Sequence, residues 1–247
     1  MIARRNIKLV LGFDGTAYHG WQIQEHHKTI QGELRAAVGK ITREEIIPAG
    51  SGRTDAGTHA RAFVANLLTT SRIPANALAR ALNSALPPDI RIFSAHEVAA
   101  DFHARASARS KIYRYQIYRG PVLPPHLARE HYHYPYTVDL EIMKTGAKLF
   151  VGTHDFASFA ARGGAGKRTV RHIFRCELKS AGHRLIFTVE GNGFLHHMVR
   201  NMVGTLLELG RGQMTPGEFA ALFEQRDRTL AGFTVPANGL ILVKVRY

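Results

Sequence analysis

The chain has 247 residues, 45% of them hydrophobic, so it is long enough for one large domain or two small ones with a buried core. Its 33 Lys and Arg residues exceed its 19 Asp and Glu residues, and the formal net charge of +14 favours a polyanionic partner such as nucleic acid. The single cysteine excludes an internal disulfide and a cysteine-based zinc site, and no apolar run approaches the roughly 20 residues of a membrane helix. Because the start lacks a signal-peptide pattern, we expect a soluble, cytoplasmic protein.

The N-terminal part of the chain predicts the order strand, helix, strand, strand, helix, strand. Apolar residues alternate from Ile7 to Phe13, which is typical of a strand. The first helix begins after Thr29, a favourable N-cap, and the second ends before Pro87 and Pro88. The apolar faces of these helices consist of Ile30, Leu34, Val38 and Ile41, and of Leu78, Leu82 and Leu86. Further strands are predicted at residues 46–47, 63–68 and 91–95. This order is that of a ferredoxin-like or RRM-like fold.

A glycine-rich loop follows the second predicted strand, with the sequence Ala49-Gly50-Ser51-Gly52-Arg53-Thr54-Asp55-Ala56-Gly57-Thr58-His59-Ala60. Its three glycines predict sharp turns or close approaches of the backbone. A dinucleotide-binding loop is excluded, because Asp55 stands where a third glycine is needed and no helical pattern follows. Two interpretations remain open. The loop is either a surface turn with a solvated Arg53–Asp55 pair, or a corner beside the core that holds Asp55 as a nucleophile or general base.

The C-terminal part of the chain predicts the same order of elements. Residues 111–119 form a predicted strand on which Tyr113, Tyr115 and Ile117 share one face. Aromatic residues in this pattern suit either a surface that stacks RNA bases or the core of a sheet. Residues 121–135 predict an irregular loop, whose three histidines lack partners at the spacing of a zinc site. Later elements are predicted as a helix at 139–152, strands at 170–178 and 185–190, a helix at 193–210, a helix after Thr215 and a strand at 240–247.

Two stretches invite a functional interpretation that their spacing does not support. The stretch from Gly163 to Arg168 lacks the spacing of a P-loop, so we interpret it as a flexible basic loop that approaches RNA phosphates. On the helix predicted from residue 193, His196 and His197 would lie about 100° apart and would not easily share a metal ion. The apolar stripe of that helix consists of Leu195, Met198, Met202 and Leu206. Arg200 on its flank is, taken alone, a solvated charge.

The glycine-rich loop resembles the active-site loop of the tRNA pseudouridine synthase A family, whose pattern is Gly-Arg-Thr-Asp-x-Gly-Val-His. Thr58 stands in place of the Val, a near-isosteric change that should not affect the chemistry. Five further blocks resemble the same family in the same order along the chain. They are residues 13–24, 102–115, 152–159, 193–201 and 239–247. The resemblance therefore covers essentially the whole chain.

The resemblance implies an α+β fold of two ferredoxin-like or RRM-like halves, residues 1–104 and 105–247. The halves are expected to join through a central antiparallel sheet with a cleft between them. The implied activity is isomerisation of uridine to pseudouridine in the anticodon stem-loop of tRNA, at positions thirty-eight, thirty-nine and forty. The family needs no cofactor and no metal ion, and its members are homodimers.

The resemblance also implies roles for single residues. Asp55 matches the nucleophile, which attacks C6 of the base or C1′ of the sugar, or removes the 2′ proton. Arg53 would fill the gap left by the flipped base, and Arg200 would pair with Asp55 and keep it ionised. Tyr113 matches the ring that stacks on the target uracil. Two leucines of the closing strand are candidates for the wall of the site, Leu240 and Leu242.

Two alternatives remain beside this interpretation. An RRM-like RNA-binding module without catalysis would explain the basic charge and the tyrosines, but not an aspartate in a glycine corner. A metal-dependent hydrolase could use His59, His154 and Asp155, or Asp14 with Asp55. No HExxH-type spacing supports the hydrolase.

Overall fold

The computed structural model describes residues 4–161 and 168–247. The chain divides into two compact units, Met1–Arg109 with Leu242–Tyr247, and Ser110–Ile241. Both units combine helices with strands that pair mostly antiparallel, and the described residues include five α-helices, which confirms the predicted α+β class. In the part of the chain that is described, no helix is both long and apolar enough to cross a membrane. The predicted basic loop lies outside the described residues, except for Arg168.

The first unit has the predicted order of elements. They are β1 (Arg5–Phe13), α1 (Ile30–Thr42), β2 (Ala49–Gly50), β3 (His59–Thr69), α2 (Ala75–Ala85) and β4 (Ile90–Val98). Strand β1 pairs antiparallel with β3 and β4, and β2 pairs antiparallel with β3. Because side chains alternate along a strand, Ile7, Leu9 and Leu11 of β1 share one face, and all three are fully buried.

Local signals set the helices of this unit well and one strand poorly. Thr29 caps α1 as predicted, since its side chain accepts a hydrogen bond from the Gly32 amide at 3.2 Å. The strand predicted at residues 46–47 is wrong. The strand is Ala49–Gly50, because these residues pair with β3, whereas the side chain of Ile47 is 61% exposed.

The second unit begins at Ser110. Its elements are β5 (Ser110–Tyr118), β6 (Tyr132–His133), α3 (Leu140–Leu149), β7 (Gly152–Asp155), β8 (Val170–Ala181), β9 (Arg184–Gly191), α4 (Met198–Gly210) and α5 (Pro216–Gln225). Strand β9 pairs antiparallel with β5 and β8, β8 pairs antiparallel with β7, and β6 pairs parallel with β5. The region predicted as an irregular loop thus contains β6 and a 3-10 turn. The final strand, β10 (Leu240–Arg246), begins in this unit and ends in the first.

A cluster of phenylalanines forms part of the core of the second unit. The Phe150 ring lies 5.1 Å from the Phe159 ring and 5.4 Å from the Phe219 ring, both in edge-on contacts. All three side chains are fully buried. The cluster brings together the end of α3, the segment after β7 and helix α5, and so fixes these helices on the sheet.

The start of α4 differs from the prediction. The helix begins at Met198, not at residue 193, because His197 has a left-handed backbone with φ of 59° and occupies the N-cap position. His196 and His197 therefore lie outside the helix, and the predicted separation of about 100° does not apply. Their ring centroids are 3.9 Å apart. Leu195 also lies outside the helix, but Met198, Met202 and Leu206 are buried as predicted.

Candidate active site

The loop between β2 and β3 is anchored to the sheet at both ends. The Ser51 amide donates to the Val64 carbonyl at 2.8 Å, and the Ser51 side chain is fully buried. At the other end, Thr58 and His59 are buried where β3 begins. Between these anchors, Asp55 is half-buried and Arg53 is exposed. The predicted corner between two strands is confirmed, and it presents a carboxylate on a restrained backbone.

The segment of residues 14–21, here called the supporting segment, lies directly against this loop. The Gly57 amide donates to the Tyr18 carbonyl at 3.1 Å. The Trp21 amide donates to the Thr54 carbonyl at 3.3 Å. These two hydrogen bonds flank Asp55 in the sequence, so the supporting segment restrains the backbone on both sides of the carboxylate.

Two glycines of the supporting segment allow this close contact. Gly20 has φ of 82°, and a Cβ atom there would lie 2.2 Å from the Thr54 carbonyl oxygen. A Cβ atom on Gly15 would lie 2.0 Å from the Thr58 carbonyl oxygen. Since real Cβ atoms do not approach this closely, both positions require glycine for a steric reason.

A histidine and an aspartate join the loop to the supporting segment. Nδ1 of the buried His59 lies 3.2 Å from Oδ1 of Asp14 and 3.2 Å from the Gly15 amide nitrogen. The same carboxylate oxygen accepts hydrogen bonds from the amide and hydroxyl of Thr16. Sequence reasoning treated Asp14-Gly15-Thr16 as a turn and missed the pairing with His59. The turn residues gave no signal of a partner so distant along the chain.

The supporting segment is itself fixed to the start of β4. The Tyr18 hydroxyl donates to Oδ1 of Asp89 at 2.6 Å, and the Asp14 amide donates to the Asp89 carbonyl at 3.0 Å. Burial and the Asp89 carboxylate raise the pKa of Tyr18, so the phenol stays protonated and remains a donor. The Trp21 ring stacks on Phe63 of β3 with centroids 4.3 Å apart.

Two hydroxyl groups of the loop are buried without satisfying their hydrogen-bonding capacity. Thr54 is 9% exposed and Thr58 is 1% exposed. Neither Oγ1 atom has a hydrogen-bond partner among the described residues. Buried polar groups are normally paired, so these hydroxyls lower the stability of the loop.

The other predicted site residues belong to several elements. Tyr113 on β5 is 8% exposed and packs edge-on against Phe194, with centroids 5.1 Å apart. Arg200 on α4 is half-buried, and its Nε donates to the Val235 carbonyl at 2.8 Å. Leu240 and Leu242 on β10 are buried. Tyr113, Arg200 and Leu240 belong to the second unit, whereas Leu242 belongs to the first, with Arg53 and Asp55 on their common loop.

Comparison with known proteins identifies the family. A family model described as tRNA pseudouridine synthase matches residues 10–105 and 147–247. A protein of Solibacter usitatus named tRNA pseudouridine synthase A is 46% identical over 246 residues, which are 98% of this chain and 100% of that protein. A protein of Caldicellulosiruptor saccharolyticus with the same name is 44% identical over 243 residues, again 98% of this chain and 100% of its own length. The chain belongs to the tRNA pseudouridine synthase family.

The predicted family is thereby confirmed, and with it the prediction that the chain is an enzyme. Among solved structures, a chain of the archaeal box H/ACA sRNP Nop10-Cbf5 complex aligns with 73% of this chain and 40% of its own length. The TM-score of that alignment is 0.36 and the sequence identity is 14%.

Proposed function

We propose that this chain isomerises uridine to pseudouridine in the anticodon stem-loop of tRNA, at positions thirty-eight, thirty-nine and forty, with Asp55 as the nucleophile. Family membership supports the reaction. The observation that carries the choice of residue is the half-buried Asp55 on a loop that is hydrogen-bonded on both sides. A carboxylate held in this way loses little freedom when it meets its target, which is the advantage of a preorganised nucleophile.

The reaction is balanced without a second reactant. The bond between N1 of uracil and C1′ of ribose breaks, and a bond between C5 and C1′ forms. C5 loses its hydrogen as a proton, and N1 gains one. Product and substrate are isomers, so neither an oxidant nor an energy source is required. Asp55 starts the sequence by attack at C6 or C1′, or by removal of the 2′ proton.

The target base must leave its stack before Asp55 can reach it. Flipping a base out of a helix costs a few kcal/mol, which contacts to the protein must supply. We propose that the exposed Arg53 occupies the space left by the base and contacts phosphate, and that Tyr113 stacks on the uracil. Arg200 keeps Asp55 ionised, and Leu240 or Leu242 lines the site. The surplus of 14 positive charges draws the RNA backbone to the protein.

The proposal extends to the assembly and place of the enzyme. We propose a homodimer in the cytoplasm, with one tRNA contacting both subunits and with no cofactor. Analytical ultracentrifugation of the full-length protein at micromolar concentration measures the assembly. A single species with the mass of one chain would contradict the homodimer and leave the chemistry of Asp55 unaffected.

Release of tritium from C5 of uridine in tRNA tests the reaction directly, because isomerisation must expel this hydrogen. The full-length protein is incubated with labelled, unmodified tRNA in EDTA. Asp55→Ala is compared with Asp101→Ala, which removes an exposed aspartate of the same unit. We expect release by the wild type and by Asp101→Ala, and none by Asp55→Ala.

Each other outcome contradicts part of the proposal. Release by Asp55→Ala at the wild-type rate would exclude Asp55 as the nucleophile. Salt-sensitive tRNA binding without release by the wild type would instead favour an RNA-binding module. Loss of all activity in EDTA would favour metal-dependent chemistry.

A further inference from the structure

A cavity of about 510 Å³ lies within the second unit. Its lining includes His196, His197, Arg228, Thr229, Phe233 and Thr234. No Asp or Glu occurs among the described residues that line it. The volume falls within the range of roughly 300–1,000 Å³ that is usual for ligand sites. A cavity with one arginine, two histidines and no lining carboxylate is suited to an anion.

The arginine of the cavity is held in a fixed position. Nη1 of Arg228 donates to the Ala231 carbonyl at 3.0 Å, and Nη2 donates to Oδ1 of Asn201 and to Oγ1 of Thr234, both at 3.1 Å. Asn201 is fully buried, and its amide nitrogen donates to the Phe159 carbonyl at 2.7 Å. This bond fixes the orientation of the amide. All three acceptors are neutral, so these contacts orient the guanidinium group and bring no negative charge to it.

The wall that carries Phe233 is fixed by helix α4. The Gly232 amide donates to Oγ1 of Thr205 at 3.1 Å, and the Phe233 amide donates to Oε1 of Glu208 at 3.0 Å. A Cβ atom on Gly204 would lie 1.7 Å from the Phe233 carbonyl oxygen, so the wall and the helix are in direct backbone contact. The cavity is therefore formed before any ligand arrives.

The remaining lining residues add hydrogen-bond donors and an aromatic surface. A neutral imidazole carries one N–H donor and an imidazolium carries two, so His196 and His197 can donate to an anion in either state. His196, Thr229 and Phe233 are exposed, which gives a ligand access to the cavity. The Phe233 side chain is 38% exposed and can stack against a base.

We propose that this cavity binds a phosphate group of a nucleotide, with Arg228 and the two histidines as its ligands and Phe233 beside the base. Arginine is the preferred partner of phosphate because its planar guanidinium group matches two phosphate oxygens. Because the chain belongs to a family that acts on tRNA, and resting on the proposed function, the nucleotide is one of the tRNA substrate. The cavity thus adds a point of contact for the RNA to the residues proposed above.

Direct binding tests the site without any catalysis. Full-length protein with isotope-labelled histidine is titrated with UMP, with inorganic phosphate and with uridine, and the resonances of His196 and His197 are followed. They are assigned by His196→Gln and His197→Gln. We expect UMP and phosphate to shift both resonances in a saturable manner, and uridine, which lacks phosphate, to leave them unchanged. Equal shifts with uridine and UMP would overturn the proposal.

Two arginine variants separate the cavity from general charge. Arg228→Gln removes the central cation, and Arg226→Gln removes an exposed arginine outside the cavity, whose Nε lies 3.1 Å from Asp155. We expect Arg228→Gln to weaken UMP binding about tenfold, the usual loss for a charge-assisted contact, and Arg226→Gln to leave it unchanged. Equal losses would overturn the proposal. If Arg228→Gln fails to fold, the exposed His196→Gln gives the same comparison.

Binding of unmodified tRNA identifies the source of the phosphate. Arg228→Gln should reduce the slope of log affinity against log salt by about one, as expected for one lost phosphate contact. Arg226→Gln should reduce it less. A competition in which tRNA fails to displace UMP would overturn the assignment to RNA and favour a free nucleotide. These measurements use binding alone, so absence of tritium release would contradict the proposed function and leave the test of the cavity intact.

Discussion

Nδ1 of His59 lies 3.2 Å from Oδ1 of Asp14 and thereby joins the first residue of β3 to the residue that follows β1. The Gly15 amide nitrogen lies 3.2 Å from the same ring nitrogen. When Nδ1 carries a proton it donates to Asp14, and when it does not it accepts from Gly15. In both states the ring holds the loop of Asp55 on the supporting segment. His59 is therefore a positioning residue for the proposed nucleophile.

Replacement of His59 should slow the chemical step while tRNA binding persists. We expect His59→Ala to lower the single-turnover rate of tritium release roughly tenfold, since a displaced nucleophile loses its alignment. The dissociation constant for tRNA should stay within about threefold, because a positioning contact is not a phosphate contact. Single-turnover kinetics and filter binding measure the two quantities.

His59→Asn is the matched control, because its amide group can occupy the place of Nδ1. It should recover part of the rate that His59→Ala loses. If both variants lose the same rate, or if weaker tRNA binding accounts for the whole loss, His59 has only a packing role. Thermal unfolding of both variants shows whether the comparison is made on folded protein.

Gly20→Ala should displace the loop of Asp55. A left-handed φ costs an alanine about 1 kcal/mol, and contact with the Thr54 carbonyl adds to this, so we expect a loss of about 3 kcal/mol and a slower reaction. Gly212→Ala is the matched control, because Gly212 has φ of 69° and a Cβ atom there would have no neighbour within 4 Å among the described residues. It should lose about 1 kcal/mol and no activity. Equal losses in urea unfolding would mean that backbone strain alone, not contact with the loop, sets the cost.

Thr58→Val should stabilise the protein. The substitution removes a buried hydroxyl that has no hydrogen-bond partner among the described residues and keeps the shape of the side chain. We expect a gain of about 1 kcal/mol, or about 3 °C in the unfolding midpoint, with an unchanged rate of tritium release. Valine is also the residue in the family pattern.

The control for this substitution is Thr205→Val. The Thr205 hydroxyl is also buried, but it donates to the Asn201 carbonyl and accepts from the Gly232 amide. Its removal should therefore lower the unfolding midpoint. If both variants shift the midpoint in the same direction, hydrogen bonding does not explain the effect at Thr58.

Glu44 should contribute to stability in a pH-dependent manner. Burial acts to raise the pKa of Glu44, but hydrogen bonds from Thr69 and Thr70 outweigh it and hold the pKa below its ordinary value of 4.5. Because the folded pKa is lowered, the contribution is present above pH 4.5 and is lost as the pH falls through the folded pKa. Glu44→Gln should thus lower the unfolding midpoint at neutral pH and approach the wild type in acid. The exposed Glu25→Gln should match the wild type throughout, and a constant difference for Glu44→Gln would exclude the titration of Glu44 as the cause.

Local features of the fold could be predicted because their causes lie within a few residues. The Thr29 cap acts on Gly32, and the capping box at the start of α5 joins Thr215 to Glu218. The alternation of Ile7, Leu9 and Leu11 predicted a strand with one buried face, since successive side chains point to opposite sides. The strand at residues 46–47 was predicted wrongly, because an apolar pair without alternation does not identify its own partner strand.

Features that depend on distant residues were not predicted. The hydrogen bond between Gly15 and His59 spans 44 residues, and that between Arg228 and Asn201 spans 27. The left-handed backbone of His197 removed two histidines from a predicted helix and left their rings 3.9 Å apart. Neither periodicity nor spacing carries information about such contacts.

The sequence by itself determined the family, the α+β class and the glycine-rich loop with Asp55, because motifs, caps and periodicity are local properties of the chain. The tertiary structure alone decided what supports that loop and what lines the cavity around Arg228. Both depend on hydrogen bonds and close backbone contacts between segments that are far apart in sequence. Folding brings such segments together only when the cores of their units are packed, so their geometry is a property of the packed chain.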